Sequence, residues 1–120
     1  MAKVSRRLLV QEVNELTALL RHEPNWQTLR DLLRQKGLAA EVCLLAGFME
    51  SEEGEESGVV VAPDGTAFEY GLRSAIGKQP VRLIRWRKVE DPANLAAKDF
   101  PALRVGVEMA REAGSGQISE

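Results

Sequence analysis

The charged side chains of this 120-residue chain are segregated into segments of opposite sign. Residues 41–70 carry eight acidic side chains and no lysine or arginine, whereas residues 71–98 carry seven basic and two acidic side chains. The net charge of −2 conceals this contrast. Clustered carboxylates can bind a cation, and clustered arginines can bind phosphates or acidic proteins, so these two segments are the first candidates for chemistry.

The acidic segment contains five glutamates and two glycines between residues 50 and 58; the glutamates are Glu50, Glu52, Glu53, Glu55 and Glu56. It lacks the alternating Asp and Asn ligands of a calcium-binding loop. Repulsion between the carboxylates favours an extended and hydrated connection between two strands. A contact with a basic partner and metal binding are the alternatives, and the sequence predicts no defined metal site.

The basic segment centres on a tryptophan flanked by four cations; these residues are Arg82, Arg85, Trp86, Arg87 and Lys88. Arginines next to an aromatic ring can hold phosphates and stack on bases. In an unbulged strand, however, alternation divides the cations into two pairs on opposite faces. The segment is then open to three interpretations: an edge strand guarded by charge, a surface for an acidic protein segment, or a phosphate or nucleic-acid site.

Catalytic constellations are hard to assemble from the remaining residues. Cys43 and His22 are the only cysteine and histidine, and Cys43 lies in an apolar stretch where a thiol is usually buried and unreactive. The chain has no glycine-rich phosphate loop and no serine in a nucleophile elbow. Acid–base chemistry by a carboxylate is the surviving possibility, with Glu69 beside Tyr70 on one strand and Glu41 at the start of another, although alternation predicts a solvated Glu69. No cofactor is expected.

Two amphipathic helices are predicted to open the chain. The first spans Ser5 to Arg21, with apolar residues at helical spacing: Leu9, Val13, Leu16 and Leu20. Leu8 and Leu19 widen this stripe. The second spans Pro24 to Lys36, because proline suits a first helical turn and Gly37 suits the position after a last one. We expect both helices to pack their apolar stripes on a common surface.

Four strands are predicted to follow. The apolar run 41–49 is the first, and residues 58–62 and 66–72 form a hairpin around the turn Pro63-Asp64-Gly65. Residues 74–80 are prone to turns, and residues 81–89 form the basic strand. A short helical turn at Asp91-Pro92 and a helix from Asp99-Phe100-Pro101 to about Ala113 complete the order, with Phe100, Leu103, Val107 and Ala110 on one face.

This order predicts an α+β fold in which an N-terminal helix pair precedes an antiparallel meander of about four strands, and a C-terminal helix packs on one face. Residues 1–114 are expected to form one domain and residues 115–120 a flexible tail. A single cysteine excludes an internal disulfide and suggests a reducing compartment. With no secretory signal and no long apolar run, we expect a cytoplasmic protein without a membrane partner.

No motif in the sequence identifies the function or a family. The charge pattern favours a small non-enzymatic protein-interaction or accessory module that binds another protein or forms a homodimer through its leucine-rich helical face or an exposed strand. Nucleic-acid or phosphoanion binding through Arg82 to Lys88 is one alternative, although an isoelectric point of about 5.5 argues against it. An enzyme or small-ligand binder that uses a pocket carboxylate is the other.

Overall fold

A computed structural model describes residues 5–50, 54–73, 82–91 and 100–114. Its elements in chain order are α1 (Arg6–His22), α2 (Gln27–Gln35), β1 (Leu44–Glu50), β2 (Glu55–Val61), β3 (Ala67–Arg73), β4 (Arg82–Lys88) and α3 (Leu103–Gly114). The four described strands form an antiparallel sheet in the order β1-β2-β3-β4. The predicted α+β fold is therefore confirmed. Within the described part of the chain, no helix is long and apolar enough to cross a membrane.

Helix α1 lies along the outer edge of β1. Its first turn is capped by Ser5, whose Oγ accepts a hydrogen bond of 3.2 Å from the backbone N–H of Leu8. Further along the helix, the buried Thr17 accepts a hydrogen bond of 3.0 Å through its Oγ1 from the backbone N–H of Leu45 in β1. The side chain of Thr17 thus takes the place of a neighbouring strand, and α1 covers this edge of the sheet.

Helix α2 begins later than predicted. Residues Pro24–Trp26 form a 3-10 turn, in which the N–H of Trp26 donates to the carbonyl of Glu23, and the α-helix starts at Gln27. The predicted glycine at the end is confirmed. Gly37 has a φ of 81°, its N–H donates to the carbonyl of Arg34, and the next N–H donates to the carbonyl of Leu33, as in a Schellman motif.

The predicted turn Pro63-Asp64-Gly65 is confirmed between β2 and β3. Gly65 has a φ of 90°, and its N–H donates to the carbonyl of Ala62 over 2.9 Å. The carboxylate of Asp64 accepts a hydrogen bond of 2.9 Å from the N–H of Thr66, and this bond lowers the pKa of Asp64. Because β1 ends at Glu50 and β2 starts at Glu55, both strands extend further toward the acidic segment than predicted. β1 starts at Leu44, later than predicted, because residues Ala40–Val42 form a 3-10 turn.

The core occupies both faces of the sheet. On one face, called here the α3 face, Ala46, Val59, Val61 and Ala67 pack against α3 and against Phe100, Leu103, Val107 and Ala110. On the other, called the α2 face, Leu45, Val60, Tyr70 and Leu72 pack against Leu20, Leu29 and Leu33. The apolar face predicted for the last helix is therefore buried as expected. The turn predicted over residues 74–80, the helical turn after Asp91 and the tail 115–120 lie outside the described residues.

Candidate functional site

Strand β4 forms one edge of the sheet. It pairs with β3 on its inner side, and none of the other described strands pairs with its outer side. The opposite edge, at β1, is covered by α1. An edge strand presents unpaired backbone N–H and C=O groups that can pair with another chain. β4 therefore combines an open backbone edge with the predicted basic residues.

A β-bulge in β4 decides which side chains share a face. Gly71 pairs with Arg85 and Leu72 pairs with Leu83, so Ile84 is an extra residue on β4. An extra residue reverses the alternation of side chains on either side of it. Arg82 therefore lies on the same side of the sheet as two other arginines, where an unbulged strand would place it on the opposite side.

The bulge produces an arginine face, which we define as Arg82, Arg85 and Arg87. The residues directly opposite them on β3 are Arg73, Gly71 and Glu69, and Glu69 in turn lies opposite Val59 on the α3 face. The predicted division of the cations into two pairs is thus wrong. Three arginines lie together, and Lys88 lies on the α2 face.

Arg87 is bound to a buried carboxylate. Its Nε donates to Oε1 of Glu69 over 2.7 Å, and its Nη2 forms an ion pair of 2.6 Å with the same oxygen. Only 8% of Glu69 is exposed to solvent. Glu69 points away from the Tyr70 face, as expected, but the prediction that it is solvated is wrong. The guanidinium of Arg87 stays largely exposed while its charge compensates the buried carboxylate.

Arg82 and Arg85 are exposed and have no carboxylate partner among the described residues. Arg85 lies across the backbone of Gly71: a Cβ at that position would come within 2.9 Å of Nη1 and 3.1 Å of the Arg85 Cβ. Glycine at this position therefore lets the guanidinium lie against β3. These two arginines have charge available for a partner.

Trp86 belongs to the α2 face and not to the arginine face. Its ring stacks on Phe68, with centroids 5.1 Å apart and an interplanar angle of 15°, and Lys36 Nζ lies 5.8 Å from its centroid. Trp86 is also packed against the core on that face. The combination of arginines and an aromatic ring that would stack and clamp a nucleotide is therefore not assembled.

The acidic segment is partly strand. Glu50 ends β1, and Glu55 and Glu56 begin β2, so the connection between the strands is shorter than predicted. Glu52 and Glu53 lie outside the described residues. The backbone pairing of β1 with β2 explains the difference, because it continues to Glu50 and Glu56, where repulsion between carboxylates was expected to separate the two strands. Glu55 forms an ion pair of 2.5 Å with Arg73, which joins the acidic segment to β3.

The residues that were candidates for enzyme chemistry do not converge. Cys43 is buried, and burial is the main cause that raises the pKa of its thiol, whereas His22 is exposed at the end of α1. Glu41 is exposed in a 3-10 turn before β1. Glu69 and Tyr70 point to opposite faces of the sheet. In the described ranges, no group of three or more His, Cys, Asp and Glu side chains has the arrangement to hold a metal ion.

A cavity of about 440 Å³ next to α2 is lined by several arginines, including Arg21 and Arg30. Arg21 donates to the carbonyls of Ala40 and Cys43, and Arg30 Nη1 donates to the carbonyls of Leu20 and Glu23. These bonds satisfy backbone carbonyls at the end of α1 and before β1. The hydrogen bonds to backbone carbonyls therefore give both guanidinium groups a structural role.

Sequence reasoning missed a second cavity, between the start of α2 and the β1–β2 end of the sheet. It has a volume of about 260 Å³ and brings Trp26 and Phe48 together with Glu50 and Glu56. Glu50 and Glu56 lie on either side of the β1–β2 connection in the sequence. The register in which β1 and β2 pair makes the two carboxylates neighbours.

A scan against protein-family models and searches of curated proteins and of solved structures found no match for this chain.

Proposed function

We propose that this chain is a non-enzymatic protein-interaction module, and that β4 binds an extended acidic segment of a partner protein. The partner adds a strand to the outer edge of β4, and its carboxylates face Arg82 and Arg85. The observation that carries this proposal is the bulge at Ile84, which gathers three arginines on one side of an open edge strand.

Strand addition supplies affinity through the backbone and specificity through the side chains. Within the seven residues of β4, alternate residues direct their N–H and C=O groups to the open side, where an incoming strand can pair with them. Alternate residues of that strand would lie beside the arginine face, so an acidic residue at every second position matches the charge pattern. Because Arg87 is engaged with Glu69, Arg82 and Arg85 carry most of this complementarity.

A second copy of the chain is a poorer partner for this edge. β4 contains four cations and no acidic residue between positions 82 and 88. Antiparallel pairing of two such strands brings like charges together across the new ladder, which destabilises the pair. The same cations that guard the edge against self-association therefore favour an acidic segment from a different protein.

Nucleic acid is the alternative that the same experiment tests. The arginine face would supply phosphate contacts, but Trp86, the ring expected to stack on bases, lies on the other side of the sheet. A site of that kind retains electrostatic attraction without stacking and has no means of selecting bases.

The experiment is a titration of the protein into a fluorescent extended peptide in which glutamate alternates with valine, followed by fluorescence anisotropy. We expect saturable binding that weakens at high salt. Replacing Arg82→Gln and Arg85→Gln together should weaken binding roughly five- to tenfold, since each exposed charge pair contributes up to about 1 kcal/mol. Amide hydrogen exchange should slow in β4 when the peptide is bound.

The matched control removes two charges elsewhere, with Arg7→Gln and Arg34→Gln on exposed positions of α1 and α2. This variant should bind the peptide as the parent does. Equal weakening by both double variants would mean that only total charge matters. Tighter binding of a single-stranded oligonucleotide than of the peptide, or a dimer mass in sedimentation without peptide, would replace the proposal with one of its alternatives.

A further inference from the structure

The second cavity, on the α2 face, has an unusual combination of walls. Trp26 and Phe48 form one side, with ring centroids 5.0 Å apart and an interplanar angle of 54°. Glu50 and Glu56 lie on the strands opposite the start of α2, and Thr28 adds a hydroxyl. Its volume of about 260 Å³ is just below the roughly 300–1,000 Å³ of sites for drug-sized ligands, so its occupant is small.

The two carboxylates are direct neighbours without a counter-charge. Glu50 and Glu56 are cross-strand partners on one face of the β1–β2 pair. Neither forms an ion pair with a described residue, and no lysine or arginine lines the cavity. Like charges directly opposite each other destabilise a sheet. Burial and the neighbouring Glu50 both raise the pKa of Glu56. A cation between the two carboxylates would remove this repulsion.

The aromatic pair indicates what kind of cation fits. A ring face attracts a cationic group electrostatically, and it also packs against the carbon atoms that carry that group. A hydrated metal ion gains nothing from such walls, whose side-chain oxygens come from the two glutamates and from Asn25 and Thr28. An organic cation uses both kinds of wall, because its charged head meets the glutamates and its alkyl stem meets the rings.

A buried hydroxyl lies close to Glu56, outside the cavity wall. Tyr70 is fully buried, and its Oη has no hydrogen-bond partner. The hydroxyl lies against Gly58, where a Cβ would come within 2.7 Å of it, and Gly58 is two residues from Glu56 on the same side of β2. Tyr70 does not line the cavity, and burial together with the negative charge of Glu56 raises the pKa of its hydroxyl. The hydroxyl therefore supplies no positive charge that would offset the two carboxylates.

We propose that this cavity is a binding site for an organic cation, an ammonium or guanidinium group on an unbranched alkyl chain. The head group lies between Glu50 and Glu56, and the alkyl chain lies against Trp26 and Phe48. The cation comes from a free small molecule or from a lysine or arginine side chain of a partner, since both present the same chemistry. This site is separate from the arginine face, which lies on the other side of the sheet.

The test uses n-butylguanidinium as the charged probe and n-butylurea as its neutral analogue of similar shape. The chain has two tryptophans, so their indole N–H signals in NMR spectra act as site reporter and internal control. We expect the charged probe to shift the Trp26 signal saturably, with a much smaller change at Trp86. The neutral analogue should bind at least roughly tenfold more weakly, because it makes no ionic contact.

Replacing Glu50→Gln and Glu56→Gln should weaken binding of the charged probe roughly tenfold or more and leave the fold intact, since the change removes repulsion. The matched control, Glu12→Gln with Glu15→Gln on exposed positions of α1, should leave affinity unchanged. The proposal is overturned if Trp26 does not respond, if butylurea binds equally well, or if the two double variants behave alike.

A capped arginine residue distinguishes the two sources of the cation. If it binds more tightly than butylguanidinium, the cavity takes a side chain of a partner, because the flanking peptide groups add contacts. If it binds more weakly, the flanking groups clash with the cavity walls and the natural occupant is a free small molecule. If neither compound binds, the proposal is contradicted, and the function proposed for β4 is unaffected.

Discussion

The contact between Arg87 and Glu69 leads to a prediction that separates structural from available arginines. Replacing Arg87→Gln removes the positive charge that faces a carboxylate of which only 11% of the side chain is exposed. The carboxylate then stays in a site that largely excludes water, with no cation beside it. Replacing Arg82→Gln or Arg85→Gln removes a charge that has no carboxylate partner among the described residues.

The exposure of the two side chains sets the magnitude. Removing one member of a fully buried ion pair costs about 3–5 kcal/mol, and an exposed pair contributes about 0–1 kcal/mol. Here Glu69 is buried but 67% of the Arg87 side chain is exposed, so solvent screens part of the interaction. We therefore expect Arg87→Gln to lower the free energy of unfolding by about 1–2 kcal/mol. Arg82→Gln and Arg85→Gln should each stay within about 0.5 kcal/mol of the parent.

Urea denaturation followed by circular dichroism measures these values, and a double-mutant cycle with Glu69→Gln isolates the pairwise part. We expect a coupling energy of about 1 kcal/mol in the direction that favours the native pair. A coupling energy near zero would refute the reasoning, as would equal effects of replacing Arg87 and Arg85. Either result would mean that Glu69 does not depend on Arg87, and Arg87 would then join the arginines available to a partner.

Three further changes test the packing and electrostatics of the sheet. Gly58→Ala should destabilise the protein by about 2 kcal/mol or more in urea denaturation, because its Cβ would lie 2.6 Å from Tyr70 Cε2. Thr17→Val should cost about 1–2 kcal/mol, because the buried N–H of Leu45 loses its acceptor. Glu56→Gln should raise stability at neutral pH by about 0.5 kcal/mol, measured by thermal melting across a pH series.

The sign of the pH effect follows from the raised pKa of Glu56 in the folded state. Such a group stabilises the fold most below its ordinary pKa of 4.5, and this stabilisation is lost as the pH rises through the raised value. The advantage of Glu56→Gln should therefore shrink as the pH falls through the raised value, and it should be smallest at and below about 4.5. Glu50 and Tyr70 face Glu56 from β1 and β3, so a constant advantage across the series would count against this assignment.

Controls for the other two changes are available in the chain. Thr17→Ser keeps the hydroxyl that accepts from Leu45 and should recover most of the stability lost with valine. Gly37→Ala has no steric neighbour within 4 Å, but it forces alanine into a φ of 81°. Its cost should therefore stay near the roughly 1 kcal/mol expected of a helix terminus, below that of Gly58→Ala. The opposite ranking would contradict the packing argument.

Most elements of the fold were predictable because their signals are local. The glycine after the last turn of α2 and the turn Pro63-Asp64-Gly65 each act within a few residues, and each is found where predicted. The first helix was predicted from Ser5, which the structure shows to be its N-cap. The starts of α2 and β2 differ from the predicted ones, because a 3-10 turn precedes α2 and pairing with a neighbouring strand extends β2. The start of α2 shifted to Gln27 and that of β2 to Glu55, because 3-10 geometry and cross-strand pairing are not encoded by hydrophobic spacing alone.

The candidate sites were predictable in composition but not in arrangement. The basic residues of β4 were recognised, yet alternation separated Arg82 from the other two arginines until the bulge at Ile84 reversed one side of the strand. Glu69 was expected in solvent because alternation places it on the face opposite Tyr70, whereas its ion pair with Arg87 depends on how β3 and β4 pair. The pairing of Glu50 with Glu56 and their approach to Trp26 depend on register and on how α2 lies over the sheet.

The sequence by itself determined the order of helices and strands, the main turn, the buried face of the last helix and the separation of acidic from basic segments. These properties follow from backbone preferences and from hydrophobic periodicity, which act over short stretches of chain. The tertiary structure decided which charges are neighbours: three arginines on one face, a carboxylate buried against one of them, and two glutamates at an aromatic cavity. Electrostatic interactions depend on distance in space and on exposure to water, and both exist only once the chain has folded.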